Sequence, residues 1–186
     1  ISSTKTYTST NGTTWTDQGA SGVTVTAGLS ELAYSELLGK LLLTGGAQAF
    51  YGTTNGTSWT TYNTTGFSPY YMACNANAIV MGGGNYGGNQ GWIVSTTDGL
   101  NFTTLASGVG NSGAPVIYYD TTNTKFVCVN KSTLCTYTVN STGGTVTTVR
   151  NGQTIQDFAY NSSTTTLAAI ASANVYAYYN AQAAFK

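Results

Sequence analysis

The chain has 186 residues, of which 41% are apolar and only 6% charged. Six basic residues balance six acidic ones and there is no histidine, which excludes a basic face for nucleic acid or anionic lipid and any imidazole chemistry. No apolar run approaches the length of a membrane span, and three Trp, fourteen Tyr and six Phe are too many aromatics for a disordered chain rich in Thr, Ser, Asn and Gly.

The first predicted element is the phrase TSTNGTTW at 8–15, two strand-like runs around Asn11-Gly12 with Trp15 in the second. Asn-Gly between such runs predicts a hairpin, because a tight turn of the required hand needs positive φ. Next comes LAYSELLGKLLLTGG at 32–46, an apolar strand, a polar turn and a second apolar strand. The hairpin phrase then returns as TTNGTSW at 53–59, with Asn55, Gly56 and Trp59, and the apolar pair returns as YYMACNANAIVMGGG at 70–84. Between Gly82 and Trp92 the sequence GGGNYGGNQGW reads as a loop longer than its counterparts. The third hairpin carries Asp98, Gly99 and Phe102, and is followed by VIYYDTTNTKFVCVN at 116–130. A fourth, degenerate copy has Gly143 and Val146, and FAYNSSTTTLAAIAS at 158–172 and a strand near 174–180 close the series.

The turn glycines Gly12, Gly56, Gly99 and Gly143 are spaced 44, 43 and 44 residues apart, with repeat turns at 11–12, 55–56, 98–99 and 142–143. Two hairpins per period make four strands per repeat, and the runs apolar on both faces belong inside stacked sheets. A period of 40 to 50 residues holding four strands predicts a small all-β propeller with about four blades of four antiparallel strands. The whole of 1–186 is then one domain. The first two strands read as half a blade that can complete the last one, closing a ring by strands from the two ends. One strand is left over, either near 5–8 or near 175–178. Closure would leave no long free strand edge.

The phrases Ser9-Thr10-Asn11-Gly12-Thr13-Thr14-Trp15, Thr53-Thr54-Asn55-Gly56-Thr57-Ser58-Trp59 and Thr96-Thr97-Asp98-Gly99-Leu100-Asn101-Phe102 resemble the Asp-box repeats of sialidase-type propellers. They are similar above all to the variant S-T-(D/N)-G-x-x-W of phage tail and bacterial surface propellers. The aspartate of the sialidase form is replaced by Thr10, Thr54 and Thr97, and the fourth copy is Ser141-Thr142-Gly143-Gly144-Thr145-Val146. In that family the box is a structural turn remote from catalysis, so the resemblance implies a fold and no reaction.

Residue types agree with a chain that is not an enzyme. Sialidase chemistry needs several arginines, and Arg150 is the one arginine here. Without histidine there is no Ser-His-Asp triad, Cys-His pair or histidine metal site, so neither metal nor cofactor is expected. The remaining enzymatic route is a carboxylate pair, Glu31 and Asp157, each just before the first strand of a blade; the competing reading makes them solvated loop acids. Glu36, Asp120 and Asp17 read as turn residues. For binding, Tyr86, Asn89, Gln90 and Trp92 combine ring faces with amides suited to sugars, against the plainer reading of a connector with Trp92 opening the next strand. Cys128 and Cys135 face each other if Asn130 pairs with Thr133, within reach of a cross-strand disulfide; the alternative is two small buried thiols. Cys74 reads as a buried strand residue.

The function expected is a non-enzymatic structural and adhesive module of a phage tail fibre or other extracellular or virion-surface assembly. Its partners would be other subunits, in an oligomer, and host glycans or another receptor, with no nucleic acid and no membrane insertion. The competing expectation is a purely architectural subunit, such as a virion decoration or filament component. A glycoside-cleaving enzyme comes third.

Overall fold

The computed structural model describes residues 5–23, 31–85, 90–111, 115–130, 135–140, 142–143, 146–150, 157–161, 166–171 and 174–179. The described residues are all-β: seventeen strands in five antiparallel sheets. Sheet 1 contains β1 (Lys5–Thr8) and β2 (Thr16–Ala20). Sheet 2 follows as β3 (Leu32–Ser35), β4 (Lys40–Thr44), β5 (Ala49–Thr53) and β6 (Thr60–Asn63). Sheet 3 has β7 (Phe67–Cys74), β8 (Ile79–Asn85), β9 (Gln90–Thr96) and β10 (Thr103–Asn111). Sheet 4 has β11 (Val116–Asp120), β12 (Lys125–Asn130), β13 (Cys135–Asn140) and β14 (Val146–Arg150). Sheet 5 has β15 (Asp157–Asn161), β16 (Thr166–Ala171) and β17 (Asn174–Tyr179). Every sheet is a meander in which each strand pairs with its neighbours in sequence.

Sheets 2, 3 and 4 pack face to face in chain order, and period-2 alternation sends successive side chains to opposite neighbours. In β8, Ile79 and Met81 join Leu42, Phe50 and Tyr62 of sheet 2, while Val80, with Ala78 just before the strand, joins Ile117, Phe126 and Cys128 of sheet 4. Sheet 3 is therefore buried on both faces, which is why its strands lack an apolar–polar alternation. A smaller cluster of Val23, Ala49 and Tyr51, with Leu43 and Trp59 against it, lies on the opposite face of sheet 2.

Three expectations are corrected. Among the described residues the strands at the two ends do not share a sheet, since β1 pairs with β2 alone and β15–β17 form their own sheet. The Asn55-Gly56 phrase joins two antiparallel strands, β5 and β6, with Gly56 at a φ of 75° as read, although six residues, 54–59, separate the strands and side chains hold that segment. Gly82, Gly83 and Gly84 belong to β8 rather than to a loop. A Cβ on Gly82 would collide with the carbonyl oxygen of Pro115, and one on Gly83 with that of Ser68, so these glycines permit close backbone approach. Finally, Asn130 pairs with Cys135, which sets Cys128 opposite Tyr137. Cys128 is a free, buried thiol, and the two-residue shift in register removes the disulfide.

A cleft where three sheets turn

Two recurring turns organise the molecule, and each is built by short side chains that bond their own backbone. In the turn after β5, Thr53 Oγ1 accepts the N–H groups of Asn55 and Gly56 at 3.3 and 3.0 Å. Asn55 Oδ1 accepts those of Thr57 and Ser58 at 2.9 and 3.0 Å. Ser9 and Asn11 repeat the arrangement, as do Thr96 and Asp98. Bonds from the Asn101 and Leu100 N–H groups and the Asn101 side chain hold the Asp98 carboxyl well below the usual range. In the fourth copy Asn140 takes the place of the hydroxyl residue and Oδ1 accepts the Thr142 N–H at 3.1 Å. Gly12, Gly56, Gly99 and Gly143 all have φ between 73° and 75°.

These glycines also mark where one sheet touches the one before it. A Cβ on Gly56 would stand 2.9 Å from Thr8, one on Gly99 2.9 Å from the Tyr62 ring, and one on Gly143 2.8 Å from Ser95. The aromatic three positions later is packed in two copies: Phe102 against Phe50 of the preceding sheet at 6.2 Å, and Trp59 against Val23 and against Ala49 and Tyr51 of its own sheet. Trp15 differs, at 61% exposed. The Val146 side chain lies outside the described residues.

The second turn, after the first strand of a sheet, brings together the candidate site. Ser35 Oγ accepts the Leu38 N–H at 3.2 Å, Asn75 Oδ1 those of Asn77 and Ala78 at 2.8 Å each, and Asp120 Oδ1 those of Thr122 and Asn123 at 3.0 and 3.1 Å. Because β3, β7 and β11 lie side by side, their turns converge on one cleft of about 400 Å³ lined by Tyr34, Glu36, Cys74–Asn77, Tyr119 and Thr121. Tyr34 is 59% exposed, while Tyr119 is half-buried and tilted on Phe126 at 4.9 Å. Among the described residues no cationic side chain lines the cleft, and Glu36 is the one acidic group that does.

Behind the cleft, Glu31 ties sheet 2 to sheet 3. Its Oε2 accepts the Met72 N–H at 2.7 Å, and Thr44 Oγ1, which accepts the Glu31 N–H, donates to the Tyr70 carbonyl at 2.8 Å. Both bonds satisfy the edge of β7 at the register shift between Pro69 and Tyr71. Glu31 is thus no solvated loop acid. Burial raises its pKa, and the Met72 bond opposes the rise. Burial and then the Glu31 carboxylate push the Cys74 thiol up to about 12, so it is protonated at neutral pH and a poor nucleophile. The Asp157 side chain lies outside the described residues. Among the described residues there is no cluster of three His, Cys, Asp or Glu side chains able to hold a metal.

Of the residues expected to bind sugar, Tyr86 and Asn89 lie outside the described residues. Gln90 is exposed at the start of β9. Trp92 is a half-buried residue within β9, stacked on Phe67 at 6.4 Å with its indole N–H buried, so it is a packed strand residue rather than an open platform. Glu36 stands in a turn as read, whereas Asp120 is the last residue of β11 and bonds the turn that follows, and Asp17 lies in β2, paired with Lys5 at 2.6 Å. The cleft went unread because Tyr34, Asn77 and Tyr119 belong to three repeats. The signal available was the recurrence of Ser35, Asn75, Asp120 and Asn161 at the end of each first strand.

Neither a protein-family model nor a curated protein matches the sequence. Among solved structures, the chain is similar to a chain in the crystal structure of a nidogen/laminin complex, at 15% identity and a TM-score of 0.60, over 87% of this chain. It spans 65% of that chain, less than two thirds of its length. It is also similar to a functionally unknown protein from Desulfotomaculum acetoxidans, at 20% identity and a TM-score of 0.51, over 75% of this chain and 50% of the other. At such identities the likeness concerns fold alone.

Proposed function

We propose that the chain is a single small β-propeller unit, its sheets the blades, acting as a non-enzymatic binding and structural module of an extracellular surface assembly such as a phage tail fibre. The observation that carries this reading is the cleft: an exposed Tyr34, a half-buried Tyr119 and the exposed Asn77 and Thr121 around a floor without an activated nucleophile. Ring faces stack on the C–H faces of sugars while amides and hydroxyls bond their hydroxyl groups, so a neutral, hydroxyl-rich receptor glycan suits this lining. A glycan array read with the native chain and with Tyr34→Ala tests it. Binding of a glycan that weakens about tenfold in Tyr34→Ala, a difference of about 1.4 kcal/mol, and not in Leu100→Ala supports the reading. No glycan signal, or equal loss in both variants, rejects it.

A purely architectural role is favoured by a different observation, the exposure of Trp15 and Tyr7 at 61% and 52%. The nidogen/laminin complex to which the fold is similar is itself an assembly of proteins.

A further inference from the structure

Three carboxylates border the cleft between sheets 2, 3 and 4. Glu36, in the turn after β3, is exposed in its lining. Glu31 stands behind it, where burial and then the Glu31 carboxylate raise the pKa of the Cys74 thiol in the lining and of the Tyr71 phenol. Asp120 ends β11, next to Thr121 of the lining. The lysines whose side chains are described lie elsewhere. Lys5 is paired with Asp17 in sheet 1, and Lys40 donates to the Tyr62 hydroxyl at 2.8 Å and stands over that ring. Lys125 is opposite Asp120 in the β11–β12 register. Glu36 and Glu31 are therefore left without an ion-pair partner among the described residues.

We infer that Glu36 makes the cleft selective by charge: it takes glycan units that are neutral or carry a protonated amine, and it turns away those that carry a carboxylate or a sulfate. The inference rests on the glycan reading of the cleft and adds which glycans it accepts. A like charge about 4 Å away in water already lowers affinity about fivefold. An ammonium gains by a comparable factor, and the same lining offers it the ring faces of Tyr34 and Tyr119. A carboxylate on the ligand would meet no cation among the described residues that could replace its lost hydration. Glu36 is the group that decides, because it is exposed and in the lining. Glu31 is half-buried and one of its oxygens is bonded to the Met72 N–H, so it adds to the field from behind without reaching the ligand.

An array of neutral, sialylated, uronic-acid and free-amine glycans tests it with the full chain and with Glu36→Gln and Glu36→Lys. The best-bound neutral glycan is then titrated beside its own sialylated and free-amine derivatives. For the native chain the sialylated form is expected to bind at least fivefold more weakly than the neutral parent, and the free-amine form at least as tightly. Glu36→Gln should narrow that gap and Glu36→Lys should reverse it. A gap that is the same in all three proteins reports shape rather than charge and overturns the inference. Equal binding of the three derivatives by the native chain overturns it too, while leaving the glycan reading in place. No glycan signal from the native chain overturns both. If a variant does not fold, salt decides on the native chain. A gap that closes between about 0.02 M and about 0.5 M salt supports the charge account, and one that ignores salt overturns it.

Discussion

The ring of Tyr62 lies against Gly99, with Cδ1 and Cε1 2.9 Å from where a Cβ on that glycine would stand. Gly99 thus carries two constraints, a φ of 75° and the edge of the neighbouring sheet. Gly12 carries only the first, since its φ is 73° and its surroundings are open. Gly12→Ala is expected to lower stability by about 1 kcal/mol, the cost of a left-handed conformation. Gly99→Ala adds overpacking and is expected to cost about 3 kcal/mol. Urea unfolding of the two variants checks the difference, and equal losses would separate the glycine from the inter-sheet contact.

Gly82 provides a contrasting case. Its φ lies outside the left-handed region, yet a Cβ would run into the backbone carbonyl of Pro115 in the next sheet. Backbone yields less readily than a side-chain tip, so Gly82→Ala is expected to cost about 3 kcal/mol or more. Gly84, whose nearest neighbours to a Cβ are 3.8 Å away, should accept alanine with a change of about 1 kcal/mol or less.

Stability should peak at mildly acidic pH. The folded pKa of Glu31 is raised above the ordinary 4.5, so the unfolded chain ionises first, and stability falls as pH climbs from about there through the folded value. Asp98 works the opposite way. Its folded pKa is depressed below the ordinary 3.8, so its contribution is present above that value and is lost as pH falls below it; the depressed Asp17 adds in the same direction. Glu31→Gln keeps an acceptor for the Met72 N–H and should flatten the profile on the neutral side. Asp98→Asn keeps the acceptor for Leu100 and Asn101, as Asn11 and Asn55 do in their copies, and should flatten the acid side. Urea midpoints between pH 3 and 8 report both.

The Cys74 and Cys128 thiols should be inert in the folded protein. Burial raises the pKa of Cys128 and, with Glu31, that of Cys74. A disulfide-exchange reagent at pH 8 should label Cys128 only as fast as the protein unfolds, and a non-reducing peptide map should show no bond from Cys128 to Cys135. Cys128→Ser puts a hydroxyl among Ile117, Phe126 and Val139 and should cost about 1–3 kcal/mol. Rapid labelling of the native state would contradict the burial.

Much of the sheet order was legible because the glycine spacing is a covalent fact and the doubly buried runs of β8 and β9 follow from stacking. What local pattern did not reveal was register and coverage. Cys128 and Cys135 looked opposed because a two-residue turn was assumed at 131–132, and only strand pairing shows Asn130 facing Cys135. The three glycines from Gly82 looked like a loop because glycine is a common turn residue, whereas here Pro115 and Ser68 need the space. Trp15 and Trp59 occupy equivalent positions, yet one is exposed because coverage depends on a neighbouring sheet. The cleft was hidden for a related reason: its lining is split among three repeats.

Because sheets 2 and 3 each pack on the sheets that precede and follow them in the chain, cooperativity should pass from neighbour to neighbour rather than through one shared centre. Sheet 3, covered on both sides, should then be the most slowly exchanging part of the molecule, and sheet 1 should open well before global unfolding. The same nearest-neighbour logic makes a unit of 43 or 44 residues the natural increment of duplication or loss. A lineage could lengthen or shorten this array one sheet at a time, altering only the two contacts at the point of insertion.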